Sequence, residues 1–260
     1  MEFIALGKTN LLVSRTAFGA MSLDCREIQA LGDGAEEEVC AIVKAAYDSG
    51  INFFDVSHAN PLCEKRLGIA LNEIRQNVFL STKSNAQTVS DLRQDLQDSL
   101  FNLGTDMLDL FFFDSLAIVP GKKTPDCLYN EAVRQKEKGV IRHIGFCTED
   151  PELAVEASEC GLYEVVQFPF NALTDEQSRK VVQSCMKNEV GFIASQPLCG
   201  GLVDNIPLAY GFFMQYENVV PVWGIHTMEQ LRQIVYFNEH PPVIDERFNK
   251  ELEKMMAFFN

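Results

Sequence analysis

The sequence predicts a closed (β/α)8 barrel, and three observations carry that expectation. Short apolar runs alternate with amphipathic helical stretches along nearly the whole chain. Its 260 residues suit a single barrel of about 250 residues. Ionisable residues also stand where apolar runs end: Asp55 after Ile51–Phe54, Lys83 just past Val78–Ser81, and Asp114 after Leu108–Phe113. Charge at the end of a buried strand is costly unless paired, and the carboxyl ends of barrel strands are where active sites are built.

Each element follows from local pattern. Phe3–Leu6 and Leu11–Val13 flank Gly7-Lys8-Thr9-Asn10, which predicts an N-terminal β-hairpin with Gly and Asn in its turn. Thr16–Gly19 is the first barrel strand. Ala35–Ser49 is helical, with Val39, Ile42, Val43 and Ala46 on one face and Gly50 as a stop. The alternation then runs Ile51–Phe54 and Cys63–Ile74, Val78–Ser81 and Val89–Asn102, Leu108–Phe113 and Pro125–Lys138, where Pro125 suits a first helical turn. It continues with Ile141–Phe146 and Pro151–Cys160, Glu164–Phe168 and Asp175–Asn188, Gly191–Ala194 and Pro207–Tyr216, and Val219–Trp223 and Met228–Phe237. A last amphipathic helix is expected over Ile244–Phe259. No composition shift or low-complexity tract interrupts this series, so one domain is expected over 1–260.

Composition narrows the function classes. A net charge of −15 argues against nucleic acid and anionic membrane surfaces as partners. No apolar run approaches the roughly 18 residues of a membrane span. The N-terminus lacks the basic and apolar regions of a signal peptide, which leads us to expect a cytoplasmic protein. None of the eight cysteines has C-x-x-C spacing. No metal or cluster site is therefore expected from sequence, and the thiols read as small reduced hydrophobes.

Among the candidate residues, Asp55 and Lys83 lie at adjacent strand ends and can pair. His58 offers an imidazole but has the setting of an ordinary loop histidine. Gly200 and Gly201 would let the backbone approach a pyrophosphate, or would form an ordinary turn.

The stretch Gly50–Leu71, G-I-N-F-F-D-V-S-H-A-N-P-L-C-E-K-R-L-G-I-A-L, resembles the aldo-keto reductase pattern G-x-x-x-x-D-T-A-x-x-Y-G-x-S-E-x-x-L-G-x-A-L, with Gly50, Asp55, Glu64, Leu67, Gly68, Ala70 and Leu71 in register. Similar blocks are G-V-I-R-H-I-G-F-C-T at 139–148, V-V-Q-F-P-F-N at 165–171 and F-I-A-S-Q-P-L-C-G-G-L at 192–202. The two-glycine loop and the R-x-I-G-F segment also resemble the subgroup that carries a C-terminal ferredoxin-like module, whose cysteine cluster this sequence lacks.

The resemblance implies a TIM barrel with the hairpin as a lid, NADP or NAD as cofactor, and a small-molecule substrate. It implies catalytic roles at four positions. Asp55 and Lys83 match the family, but the catalytic tyrosine falls on Asn60 and the carbonyl-orienting histidine on Asp114. An amide is no acid near neutrality, and a carboxylate donates a hydrogen bond only when protonated. The implied cofactor wall comprises Gly19, Thr148, Gln167, Asn171, Ser195, Leu198, Gly200, Gly201, Gly224, His226 and Arg232. Of these only His226 and Arg232 could hold the 2′-phosphate of NADP, so weak preference for NADP over NAD is expected. Two classes of function follow: a nicotinamide-dependent oxidoreductase with altered proton delivery, or a catalytically silent relative that binds a ligand or protein partner.

Overall fold

A computed structural model of the chain describes residues 1–121 and 127–259. The chain opens on the antiparallel hairpin of β1 (Phe3–Ala5) and β2 (Leu12–Ser14). Its connection turns through Gly7 and Asn10, both at positive φ, where an ordinary side chain is strained. Gly7 has a second reason to lack a side chain, because a Cβ there would fall 2.3 Å from the Gly191 nitrogen. Lys8 N donates to Glu189 O at 2.9 Å beside it. The hairpin is thus seated on the amino-terminal mouth of the barrel.

Eight parallel strands close that barrel: β3 (Ala17–Gly19), β4 (Phe53–Asp55), β5 (Phe79–Ser84), β6 (Leu108–Asp114), β7 (Ile141–Cys147), β8 (Val165–Pro169), β9 (Gly191–Ser195) and β10 (Val219–Gly224). They pair in chain order, and β10 returns to β3 through Val222↔Ala17 and Gly224↔Gly19. Every strand is covered on both sides, so the strands are apolar almost throughout. Inward-facing Phe53, Leu110, Phe112, Val165, Ile193 and Val220 fill the interior, and Leu6, Leu11 and Val13 of the hairpin close it from below. A second core lies between the strands and the outer helices.

Those helices are α2 (Ala35–Asp48), α3 (Pro61–Leu71), α4 (Val89–Leu103), α5 (Leu128–Glu137), α6 (Pro151–Glu159), α7 (Glu176–Lys187), α8 (Ile206–Met214), α9 (Met228–Glu239) and α10 (Glu246–Phe259). Polar residues mark many of their starts: Asn60, Thr88, Asp150, Asp175, Asn205 and Thr227 each accept a backbone N–H of the first turn. No helix among the described residues is long and apolar enough to cross a membrane.

The architecture matches the predicted barrel, with three local departures. The strand predicted over Val78–Ser81 runs on to Ser84 because Ser81–Ser84 pair with Leu110–Phe113 of β6. Lys83 therefore lies within the strand, not past it. The helix predicted from Cys63 begins at Pro61, since Asn60 caps it and proline is tolerated in a first turn. The segment after β3, for which local pattern predicted no element, holds 3-10 turns at Ala20–Asp24 and Gly32–Gly34 and the short helix α1 (Arg26–Gln29). The predicted helix start at Pro125 lies outside the described residues.

Candidate active site

The carboxyl mouth is organised around a closed set of hydrogen bonds. Asp55, the last residue of β4, receives Lys83 Nζ on Oδ2 at 2.7 Å and the Ser81 hydroxyl on Oδ1 at 2.6 Å. Gln167, reaching in from β8, closes the triangle: its Nε2 donates to Asp55 Oδ2 at 3.1 Å and its Oε1 accepts from Lys83 Nζ at 3.2 Å. Asp55, Lys83 and Gln167 are all buried. Burial alone would depress the Lys83 ammonium, but the Asp55 carboxylate outweighs it, with help from Asp114, and raises the group above the usual lysine value. Lys83 is therefore a cation at neutral pH.

Asp114 and Cys147 face this pair from the ends of β6 and β7, where they stand in register. Burial pushes the Cys147 thiol well above its ordinary range, against the pull of Lys83 and reinforced by Asp114, so it stays protonated. Asp114 Oδ1 accepts the Ser115 hydroxyl at 2.9 Å.

Asn60 is engaged elsewhere. Its Oδ1 accepts Cys63 N at 3.1 Å as the cap of α3, and its Nδ2 donates to Asp24 Oδ2 at 3.2 Å. Asp24 also meets Arg66 NH1 at 3.3 Å, so this corner is a hydrogen-bonded brace. His58 joins a second polar cluster behind Lys83. Its Nε2 lies 3.3 Å from Asp95 and its Nδ1 3.2 Å from the Ser99 hydroxyl. Asp95 also accepts the Ser84 hydroxyl, while fully buried Glu64 takes Thr82 and Asn102.

The residues of the predicted cofactor wall occupy β7 to β10 near their carboxyl ends and the loops beyond, apart from Gly19 at the end of β3 and Arg232 within α9. Thr148 and Asn171 are buried, and Ser195 and Leu198 are partly exposed. Thr148 Oγ1 accepts Asp150 N at 3.1 Å, which leaves its own O–H free to donate. The Asn171 amide donates to Gln196 O and accepts Leu173 N. Gln167 and Asn171 each therefore keep one N–H and one lone pair for an amide ligand, and this donor set fits the nicotinamide end of a cofactor. Gly224 is exposed. Gly19 is buried, and a Cβ there would come within 3.0 Å of Trp223 O, so its smallness serves the packing of β3 on β10.

The phosphate end is less well equipped. Gly200 and Gly201 are exposed and at positive φ. The amides of Cys199, Gly201, Leu202 and Val203 all bond within their own loop. Arg232 is exposed, and His226 lies 3.4 Å from the Gln230 amide nitrogen.

Sequence reasoning overlooked Ser81 and Asp24. Ser81 had a usable signal, since it sits two positions before Lys83 and so faces the same side of a strand. Asp24 had none, because its contact with Asn60 joins segments with no common local pattern.

Comparison with known proteins agrees with this geometry. The profile described as the aldo/keto reductase family matches residues 16–206. L-galactose dehydrogenase of Arabidopsis thaliana is 26% identical over 223 residues, covering 78% of this chain and 67% of its own. The aldo-keto reductase dtxS3 of Metarhizium robertsii is 26% identical over 253 residues, covering 80% and 66%. The chain spans about two thirds of the length of such curated relatives. Among solved structures, the holo form of an aldo-keto reductase from Bacillus halodurans superposes with a TM-score of 0.81 at 20% identity, covering 98% of this chain and 96% of that one. With the family profile spanning well over half its length, this chain belongs to the aldo/keto reductase family.

Proposed function

We propose that the chain is a nicotinamide-dependent oxidoreductase acting on a small carbonyl compound or related substrate, with proton delivery altered from the family pattern. The observation that carries this reading is the buried Asp55–Lys83 pair, 2.7 Å apart and tied to Gln167 at the mouth. A buried ion pair is poor value as a stabiliser, since apolar residues of similar size often do as well or better. Its presence at the mouth supports a site in use.

The bound cofactor would supply or accept the hydride. Thr148, Gln167 and Asn171 have the spare donors and acceptors to hold its carboxamide, and Ser195, Leu198 and the glycine loop would flank it. The substrate oxygen gains negative charge as hydride arrives and must be stabilised. Lys83 has three N–H groups and spends two on Asp55 and Gln167, so one remains for that oxygen. Asp114, when ionised, opposes the same charge. Ordinary aldehydes, which need a proton as the oxyanion forms, are therefore poor substrates. Cytoplasmic location belongs to this proposal as well.

Fluorescence titration of the full chain with NADPH and NADH is the test. Saturable binding of either supports an oxidoreductase. Failure of both transfers support to the second reading, a silent relative that binds another ligand or a protein. One observation favours that alternative: the Asn60 amide, at the position of the family's proton donor, is committed at both ends to the α3 cap and Asp24.

A further inference from the structure

Away from the Asp55–Lys83 pair, the structure gathers a thiol, a carboxylate and an imidazole from opposite ends of the chain. Cys25 precedes α1, Glu27 lies in its first turn, and His226 stands in the loop after β10. One ligand atom from each lies within 4.8 Å of the other two. Cys25 and His226 are partly exposed and Glu27 is exposed, so an ion can enter from solvent.

We propose that Cys25, Glu27 and His226 form a binding site for a divalent transition-metal ion of the zinc class. Sulfur, imidazole nitrogen and carboxylate oxygen are zinc's ordinary protein ligands, whereas magnesium and calcium select oxygen. Ligand atoms within 4.8 Å of one another can contract onto one ion with bonds of about 2.0–2.3 Å. Three protein ligands leave a fourth tetrahedral position for water or a substrate oxygen.

The backbone beneath the ligands is already braced. Ser22 Oγ donates to Ile225 O at 2.9 Å and lies 3.1 Å from Gly19 O, joining the loop after β3 to the loop after β10. Little ordering is then left for the ion to impose. A net charge of −15 adds an attractive field for a cation. On binding, the Cys25 thiol releases its proton to solvent and the thiolate ligates the metal. The ion would pin two loops at the carboxyl mouth, one of which carries His226 and leads into α9 with Arg232. The absence of C-x-x-C spacing does not bear on such a site, because its ligands are assembled by barrel closure.

The test is metal titration of the chelator-treated full chain, first with cobalt(II) and then with zinc(II). We expect one equivalent of cobalt with a thiolate-to-metal charge-transfer absorption, displaced by zinc and not by magnesium. Cys25→Ser should abolish the absorption, and Glu27→Gln and His226→Asn should each weaken binding by about tenfold or more. Cys199→Ser should leave both unchanged. Circular dichroism establishes that each variant is folded; should Cys25→Ser not fold, the other two variants carry the test. No stoichiometric binding, or an absorption that survives both Cys25→Ser and His226→Asn, overturns the proposal.

Discussion

At the entrance to α3, the Asn60 side chain caps the helix and holds Asp24 with the same amide. Restoring a phenol there exchanges those bonds for an acid, so stability and activity should move in opposite directions. General acid catalysis typically contributes about 10²–10⁴ in rate, and loss of a cap costs about 1 kcal/mol. We predict negligible NADPH-dependent reduction of a small aromatic aldehyde by the wild type at neutral pH. The double variant Asn60→Tyr, Asp114→His should gain about 10²-fold and lose about 1 kcal/mol in denaturant unfolding. Wild-type turnover comparable to ordinary family members would point to a proton donor elsewhere in the mouth.

Between elements, two contacts set how the helices sit. α3 meets α4 at Gly68, where a Cβ would lie 2.6 Å from the Leu103 carbonyl carbon and 2.7 Å from Asn102 O. Both obstacles are backbone, so neither can rotate away. Gly68→Ala should destabilise the fold by about 1–3 kcal/mol, read from the unfolding midpoint; an unchanged midpoint would mean that the helices move apart freely. α4 meets α5 through an ion cluster. Arg93, followed by Gln135 and Arg134, holds the Glu131 carboxyl at about 2 against burial, compared with the usual 4.5. Burial would raise the Glu164 carboxyl, but bonds from His143 and Lys136 bring it to about 2 as well. Their folded values lie below their unfolded ones, so the unfolded chain takes up protons first as pH falls. The stability they contribute is present above the usual 4.5 and drains as pH drops towards about 2. Glu131→Gln should show a shallower loss over that window. An equally steep curve would shift the acid sensitivity to other carboxylates.

At the scale of the whole molecule, the proposed nicotinamide site leads us to predict little preference between NADP and NAD. The net charge of −15 disfavours a polyanion, and the extra phosphate of NADP would find Arg232 and His226 in the loop after β10 and the first turns of α9. Charge-assisted donors are what distinguish that phosphate. Competition titration should place NADP and NAD within about tenfold of each other. A preference for NADPH of about a hundredfold or more would mean that another cation reaches the phosphate.

Local pattern was enough for the barrel, because apolar period and helix stops repeat within each strand–helix unit and need no distant partner. The Asp55–Lys83 pair was legible for a related reason: consecutive parallel strands bring their carboxyl ends to one mouth, so ionisable residues ending neighbouring strands must meet. Three features required the tertiary structure. Gln167 reaches Asp55 across the mouth from β8. β5 continues to Ser84 because β6 offers it partners. Cys25 and Glu27 meet His226 because β10 pairs with β3. In each case the bond joins residues whose neighbours in sequence have nothing in common, and the energy that brings them together is that of the whole buried core.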